Sequence, residues 1–204
     1  MKDITRRDFL KILGAGTAVA ATTMVGCQNG DSVLDPKGTL QPQKGQMTYR
    51  TNHNTGDKVS LLGFGMMRLP VIEDEAPKGA SGREASAAPI DQEMVNKMVD
   101  KAIEYGVNYF DTSPVYCQGR SEKATGIALA RHKRSDYYLA TKMSNFWPDS
   151  WPRQASIDMF NNSLKELQTD YIDYMLLHSV GGGEDGMKML QQRYYDNGIL
   201  DFLL

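Results

Sequence analysis

The 204-residue sequence predicts an α/β fold of the (β/α)8 TIM-barrel type, with about the first four β/α units present behind a short β-hairpin. Three observations predict it. From Met47 onward a strand pattern followed by a helical pattern occurs four times, the alternation produced by parallel strands with crossover helices. Ionisable residues directly follow three of the apolar strand runs, so the chain returns repeatedly to one end of the sheet. The four units fill residues 59–204, and eight of that size need on the order of 290 residues, a normal length for a closed barrel.

Residues 47–60, centred on Asn54-Thr55-Gly56-Asp57, read as the hairpin, because turn residues separate two short extended runs. Unit one begins at Val59-Ser60-Leu61-Leu62-Gly63-Phe64-Gly65. Between Pro70 and Pro89 the chain is dominated by Ala, Gly, Ser, Glu and Pro, the composition of a mobile loop. The helix that follows is capped by Asp91 and stapled by Ile90 onto Val95. Met94, Val95, Met98, Val99, Ala102 and Ile103 share one face, read as core, and Gly106 ends the helix.

Unit two is a strand at 107–110 and a helix capped by Ser121 that carries Ala124, Ile127 and Ala128. Unit three is a strand at 137–140 and a helix at 156–167 with Ile157, Phe160, Leu164 and Leu167 in one stripe. Unit four is a strand at 171–177, then Gly181-Gly182-Gly183 and an amphipathic run to Leu204. The final residues are apolar and carry no stop signal, as in a helix cut in its middle, so the sequence is expected to be the N-terminal part of a longer barrel. Half a barrel alone exposes unpaired strand edges, which are expected to promote self-association.

Composition narrows the partners. With 23 Lys plus Arg against 25 Asp plus Glu and no long run of like charge, the chain lacks the electrostatic footprint of a nucleic-acid binder. Its two cysteines, Cys27 and Cys117, form neither a disulfide framework nor a zinc or iron–sulfur spacing. Residues 1–26 have the layout of a twin-arginine export signal: Thr5-Arg6-Arg7-Asp8-Phe9-Leu10-Lys11 precedes an apolar stretch at 12–25 with no polar face. That stretch is shorter than the ~20 residues of a membrane-spanning helix. Export to the periplasm or cell envelope through the twin-arginine machinery follows as an expectation. Met24-Val25-Gly26-Cys27 resembles the cleavage site of bacterial lipoproteins, which implies lipidation at Cys27; a lone thiol in a linker is the alternative. Residues 27–46 read as that solvated linker and 47–204 as the partial barrel.

Asp111, Lys142 and His178 each follow an apolar strand run, and Tyr116 lies five residues beyond Asp111, within reach of it from the loop. Singly, they are a turn cap, a solvated amine, a structural imidazole and a packing aromatic. Together at one rim they form a proton-transfer device, because an ammonium beside a phenol stabilises phenolate while a carboxylate offsets the ammonium.

Asn108-Tyr109-Phe110-Asp111-Thr112-Ser113-Pro114-Val115-Tyr116, Gly119-Arg120-Ser121-Glu122, Ala140-Thr141-Lys142 and Thr169-Asp170-Tyr171-Ile172-Asp173-Tyr174 ending in His178 resemble the aldo/keto reductase family. Met47-Thr48-Tyr49-Arg50 and 59–65 with Arg68 resemble its first hairpin and strand. The resemblance implies reduction of an aldehyde or ketone with a nicotinamide nucleotide, usually NADP(H). It implies Tyr116 as the acid, Lys142 and Asp111 tuning it, and His178 orienting a small-molecule carbonyl substrate. The nicotinamide is expected near Gly65, Met66, Arg68 and Asp111, and Trp147 as a pocket wall or as simple loop packing. The family's phosphate and adenine contacts belong to its last strands, so weak NADPH binding is expected of these 204 residues alone. Exported relatives often carry an iron–sulfur segment, and no such cysteine cluster is encoded in residues 1–204. A non-catalytic cell-envelope lipoprotein, acting as a binding or assembly module, is the competing reading. A metal hydrolase on Asp111 and His178 is disfavoured because no further ligand recurs at strand ends; no metal is expected.

Overall fold

The computed structural model describes residues 44–75, 78, 87–181 and 183–204, all within the compact unit Gln43–Leu204. The twin-arginine segment, Cys27 and nearly all of the linker lie outside the described residues, as do most of the positions between Pro70 and Pro89 that read as a loop.

Strands β1 (Tyr49–Thr51) and β2 (Lys58–Ser60) form the expected antiparallel hairpin, with Tyr49 opposite Ser60. Its turn closes through the Asn52 amide on Asp57 O, and Gly56 takes a positive φ of 80°. Four parallel strands follow in the order β3 (Phe64–Gly65), β4 (Tyr109–Asp111), β5 (Tyr138–Met143) and β6 (Tyr174–Leu177). Helices α1 (Gln92–Glu104), α2 (Ser121–Leu129) and α3 (Arg153–Leu167) connect them in turn. After β6 come α4 (Gly183–Leu190), a π-helical turn (Gln191–Tyr195) and α5 (Ile199–Leu203). This is the β/α succession the alternating pattern predicts.

Two apolar clusters hold the layers together. One packs Val95, Val99, Ala102, Phe110, Leu129, Leu139 and Leu167 between the sheet and α1, α2 and the end of α3. Phe110, fully buried, meets Tyr137 edge-on at 6.0 Å, a burial that stabilises by roughly 1.5–3 kcal/mol. The second cluster packs Met143, Tyr194 and Ile199 with Ile157, Phe160 and Phe202. At the opposite end of the strands Tyr109, Tyr138 and Tyr174 form an aromatic layer, with ring centroids 5.5 Å apart for Tyr109–Tyr174 and 6.1 Å for Tyr138–Tyr174. The hairpin is tied to this layer: the Lys58 amide donates to the Tyr138 hydroxyl at 3.2 Å, and the Tyr174 hydroxyl bonds Asp57.

Four local expectations are corrected. Val59 and Ser60 belong to the hairpin, and the first parallel strand contains only Phe64 and Gly65. Ser60 donates through its amide to Asn108 Oδ1 at 2.7 Å and through its hydroxyl to Leu62 O at 2.7 Å, which bends the chain before β3. Ser121 is the first residue of α2 rather than its cap; its hydroxyl donates to Met66 O at 2.7 Å and stands 2.9 Å from Thr112 Oγ1. On α1 the valines fill the core while Met94 and Met98 are 45% and 36% exposed, because each lies about 100° round the helix from its buried neighbour. The run after β6 is divided, with Gly198 at φ 65° between the π-turn and α5. Asp91 caps α1 as expected, accepting from the Met94 amide at 2.9 Å.

Helices α2 and α3 approach closely at Gly126, where a Cβ would meet Glu166 O at 2.4 Å and Leu167 Cα at 2.8 Å. Gly126→Ala is therefore expected to destabilise the fold by about 1–3 kcal/mol, measured as a lowered urea midpoint; an unchanged or raised midpoint would show that the two helices separate without penalty.

Candidate active site

The parallel register places the ends of β4, β5 and β6 side by side, with Asp111 opposite Ala140 and Lys142 opposite Leu176. Lys142 is nearly buried, with 11% of its side chain exposed. Its Nζ lies 2.5 and 2.6 Å from the two Asp111 carboxylate oxygens and 2.8 Å from Thr112 O, so all three ammonium protons have acceptors. The rim backbone is fixed as well: the Met66 amide donates to Asp111 O at 2.8 Å, and the Thr112 amide to Ala140 O at 2.9 Å.

Tyr116 reaches this pair from a short turn, Tyr116–Gly119. Its amide donates to Ser113 O at 3.1 Å, and Cys117 and Gln118 adopt left-handed φ values of 49° and 56°, an arrangement that costs non-glycine residues roughly 1–3 kcal/mol each. Cys117 is buried, with its thiol on Met67 O at 3.4 Å, which anchors the turn. The Lys142 ammonium lies 5.0 Å from the Tyr116 ring centroid, and that ring meets the His178 imidazole edge-on at 5.6 Å. The four residues named from the sequence are thus brought together: Asp111 and Lys142 as an ion pair, with Tyr116 between them and His178.

Two serines hold the imidazole. His178 Nδ1 lies 2.7 Å from Ser144 Oγ and 3.2 Å from Ser113 Oγ, and the two hydroxyls are 3.0 Å apart. Phe146 packs 4.8 Å from the imidazole and edge-on to Trp147. Trp147 itself is 63% exposed on the rim. Burial, reinforced by the Lys142 and Arg193 cations and opposed by Asp111, holds the His178 imidazole below its ordinary pKa. This environment favours the neutral imidazole.

Ser113, Ser144, Phe146 and Arg193 were missed from the sequence. The serines had a signal: each follows a strand-end ionisable residue by two positions, Asp111 and Lys142, which puts both just beyond the carboxyl ends of neighbouring strands. Of the positions expected against a nucleotide, Gly65 is exposed at the end of β3 with no heavy atom within 4 Å of where a Cβ would stand, and Arg68 is exposed nearby. Met66 is fully buried, and its carbonyl accepts from Ser121. Glu122, also buried, accepts from the Thr141 hydroxyl at 2.6 Å; burial pushes its carboxyl up.

A parallel β/α sheet with an ion pair, a phenol and an imidazole at its carboxyl rim defines a barrel-type α/β protein whose ionisable cluster sits at the strand ends. The chain belongs to the aldo/keto reductase family: the family's sequence profile matches residues 62–198. A twin-arginine translocation pathway signal profile matches residues 3–23, which supports export across a membrane. An oxidoreductase of Bacillus subtilis is 43% identical over 88 residues, covering 40% of this chain and 28% of that protein. The L-galactose dehydrogenase of Arabidopsis thaliana is 32% identical over 146 residues, covering 68% of this chain and 40% of that protein. Among solved structures, a thermostable aldo-keto reductase in complex with the inhibitor epalrestat superposes with a TM-score of 0.50 at 25% identity, covering 77% of this chain and 51% of that one. The chain therefore spans about half or less of the length of these relatives.

The lowered pKa of His178 has a consequence for stability. Its folded value lies below the ordinary 6.5 of an unfolded chain, so as pH falls below that value the unfolded state takes up the proton first. The stabilisation is complete above about pH 6.5 and is lost as pH drops through the folded value. Urea midpoints measured from pH 7.5 to 5 are expected to fall less steeply in His178→Gln than in the wild type; parallel curves would refute this.

Proposed function

We propose that the protein is an exported oxidoreductase that reduces an aldehyde or ketone by hydride transfer from a nicotinamide cofactor, NADP(H). The observation that carries this reading is the buried Lys142 ammonium, held by Asp111 and Thr112 O against the Tyr116 ring, with His178 opposite. Tyr116 is the general acid that gives its hydroxyl proton to the carbonyl oxygen. Lys142 favours the phenolate that remains, and Asp111 keeps the ammonium fixed and its charge balanced. His178 orients the substrate, and the exposed Trp147 walls the pocket. The name of the Arabidopsis relative, a dehydrogenase, supports hydride chemistry.

The residues present fit the nicotinamide end of such a cofactor. Gly65 leaves a strip without side chains opposite Asp111, Arg68 is exposed three residues further on, and Met66 is buried in the core. When bound, the cofactor supplies the hydride. Residues 1–26 act as the signal, 27–46 as a tether and 47–204 as the barrel portion. Cys27 is the lipidation site in the periplasm or cell envelope. A lipoprotein with only a binding role is less well supported, because a solely structural rim has no need of a phenol set between a buried ammonium and an imidazole.

Tyr116→Phe in the intact protein is expected to lower kcat for NADPH-dependent reduction of a simple aldehyde by roughly 10²-fold or more, with nucleotide affinity unchanged. Undiminished turnover would remove Tyr116 from the mechanism, and no turnover by the folded wild type would favour the binding role.

A further inference from the structure

Arg193 lies on the π-helical turn after α4 and is only 1% exposed, although it carries a charge that a guanidinium does not surrender on burial. Its acceptors among the described residues are neutral oxygens. Nη2 donates to His178 O and to the Tyr194 hydroxyl, each at 2.9 Å; Nη1 donates to Ser179 O at 3.1 Å, and Nε to Asn145 Oδ1 at 3.2 Å. Tyr194 passes the grip on, donating to Met143 O at 3.0 Å, and Asn145 Nδ2 returns a bond to Arg193 O at 3.0 Å.

All of these contacts outside the π-turn fall at the carboxyl ends of β5 and β6, where the ladder closes with the His178 amide on Met143 O at 3.2 Å. The next residue, Ser179, has φ 48°, a left-handed conformation that a non-glycine residue keeps only when its surroundings hold it. One arm of the fork holds its carbonyl. The guanidinium also packs 5.2 Å from the Phe146 ring centroid, and Phe146 packs against the imidazole. His178 is therefore held from behind along its main chain and through an aromatic ring, while Ser144 and Ser113 hold Nδ1 from the front.

We propose that Arg193 is a positioning residue for His178: its planar fork clamps the ends of β5 and β6 and sets where the imidazole stands against Tyr116 and Ser144. The catalytic consequence rests on the reductase reading, but the placement itself is observable without turnover. Lysine keeps the charge and loses the fork, since a single ammonium does not reproduce the planar, pre-organised donor set. The charged groups influencing the imidazole are Lys142 and Arg193, both disfavouring its protonation, and Asp111, favouring it; the Tyr116 ring faces it edge-on.

The chain has three histidines, His53, His132 and His178, so the His178 ring resonances are assigned by their absence from the spectrum of His178→Gln. In Arg193→Lys the His178 ring resonances and titration midpoint are expected to move while those of His53 and His132 stay in place. The kcat of the reductase assay is expected to fall about 10- to 100-fold, the scale of a roughly 1 Å misplacement, at unchanged KM for the nucleotide. Tyr194→Phe leaves Arg193 intact and deletes only the bridge to Met143; it is expected to move the same resonances less and in the same direction, and it serves if Arg193→Lys does not fold. A lowered melting temperature with His178 resonances and titration unchanged in both variants would overturn the proposal and leave Arg193 a structural residue. Moved resonances in a protein whose folded wild type shows no turnover would support the positioning and count against the reductase reading alone.

Discussion

The rim of the sheet depends on one interaction, the buried ammonium of Lys142 on the Asp111 carboxylate. An ammonium taken out of water is stable only if each of its protons finds an oxygen, and the parallel register of β4 and β5 supplies all three by setting Asp111 and Thr112 O beside it. Hydrogen bonds to charged groups of this kind contribute about 1.5–3 kcal/mol each. The same pairing creates the electrostatic floor on which the Tyr116 ring rests. In the proposed reading stability and chemistry share these atoms, so a change at either residue is expected to disturb both.

The rest of the fold serves that rim from a distance. Core packing between the sheet and α1 and α2 fixes β4 and β5, and the hairpin bound to the tyrosine layer closes the opposite end of the strands. Besides Gln168, which ends α3, left-handed non-glycine backbone among the described residues is found at the turn of Cys117 and Gln118 and at Ser179, the two places where the chain folds back to present Tyr116 and His178. In each case a nearby anchor holds it: Cys117 on Met67 O in the first, Arg193 on Ser179 O in the second.

Much of this was legible in the sequence because it follows from local periodicity. The strand-then-helix alternation set the sheet order, and residues directly after strand runs marked the rim, which brought out Asp111, Lys142, Tyr116 and His178. Errors arose where a side chain's partner is distant in sequence. Ser121 has the chemistry of a helix cap, yet its hydroxyl is taken by Met66 O, fifty-five residues away. Ser60 belongs to an extended run, but Asn108 turns it aside. Met94 and Met98 match the helical period of a core stripe, and only the packed width of the core shows that valines fill it. Arg193 had no local signature, since nothing near it announces that its fork reaches the ends of two strands.

The central claim is that Asp111 and Lys142 act as one unit in the work of the rim. A double-mutant cycle with Asp111→Asn, Lys142→Met and the pair, reading both urea stability and NADPH-dependent turnover in the intact protein, tests it most directly. The account predicts strong non-additivity, with the double variant scarcely worse in turnover than either single one and more stable than Asp111→Asn, which leaves a nearly buried ammonium without its counter-charge. Additive losses in both readouts would contradict it and show that the two side chains contribute independently.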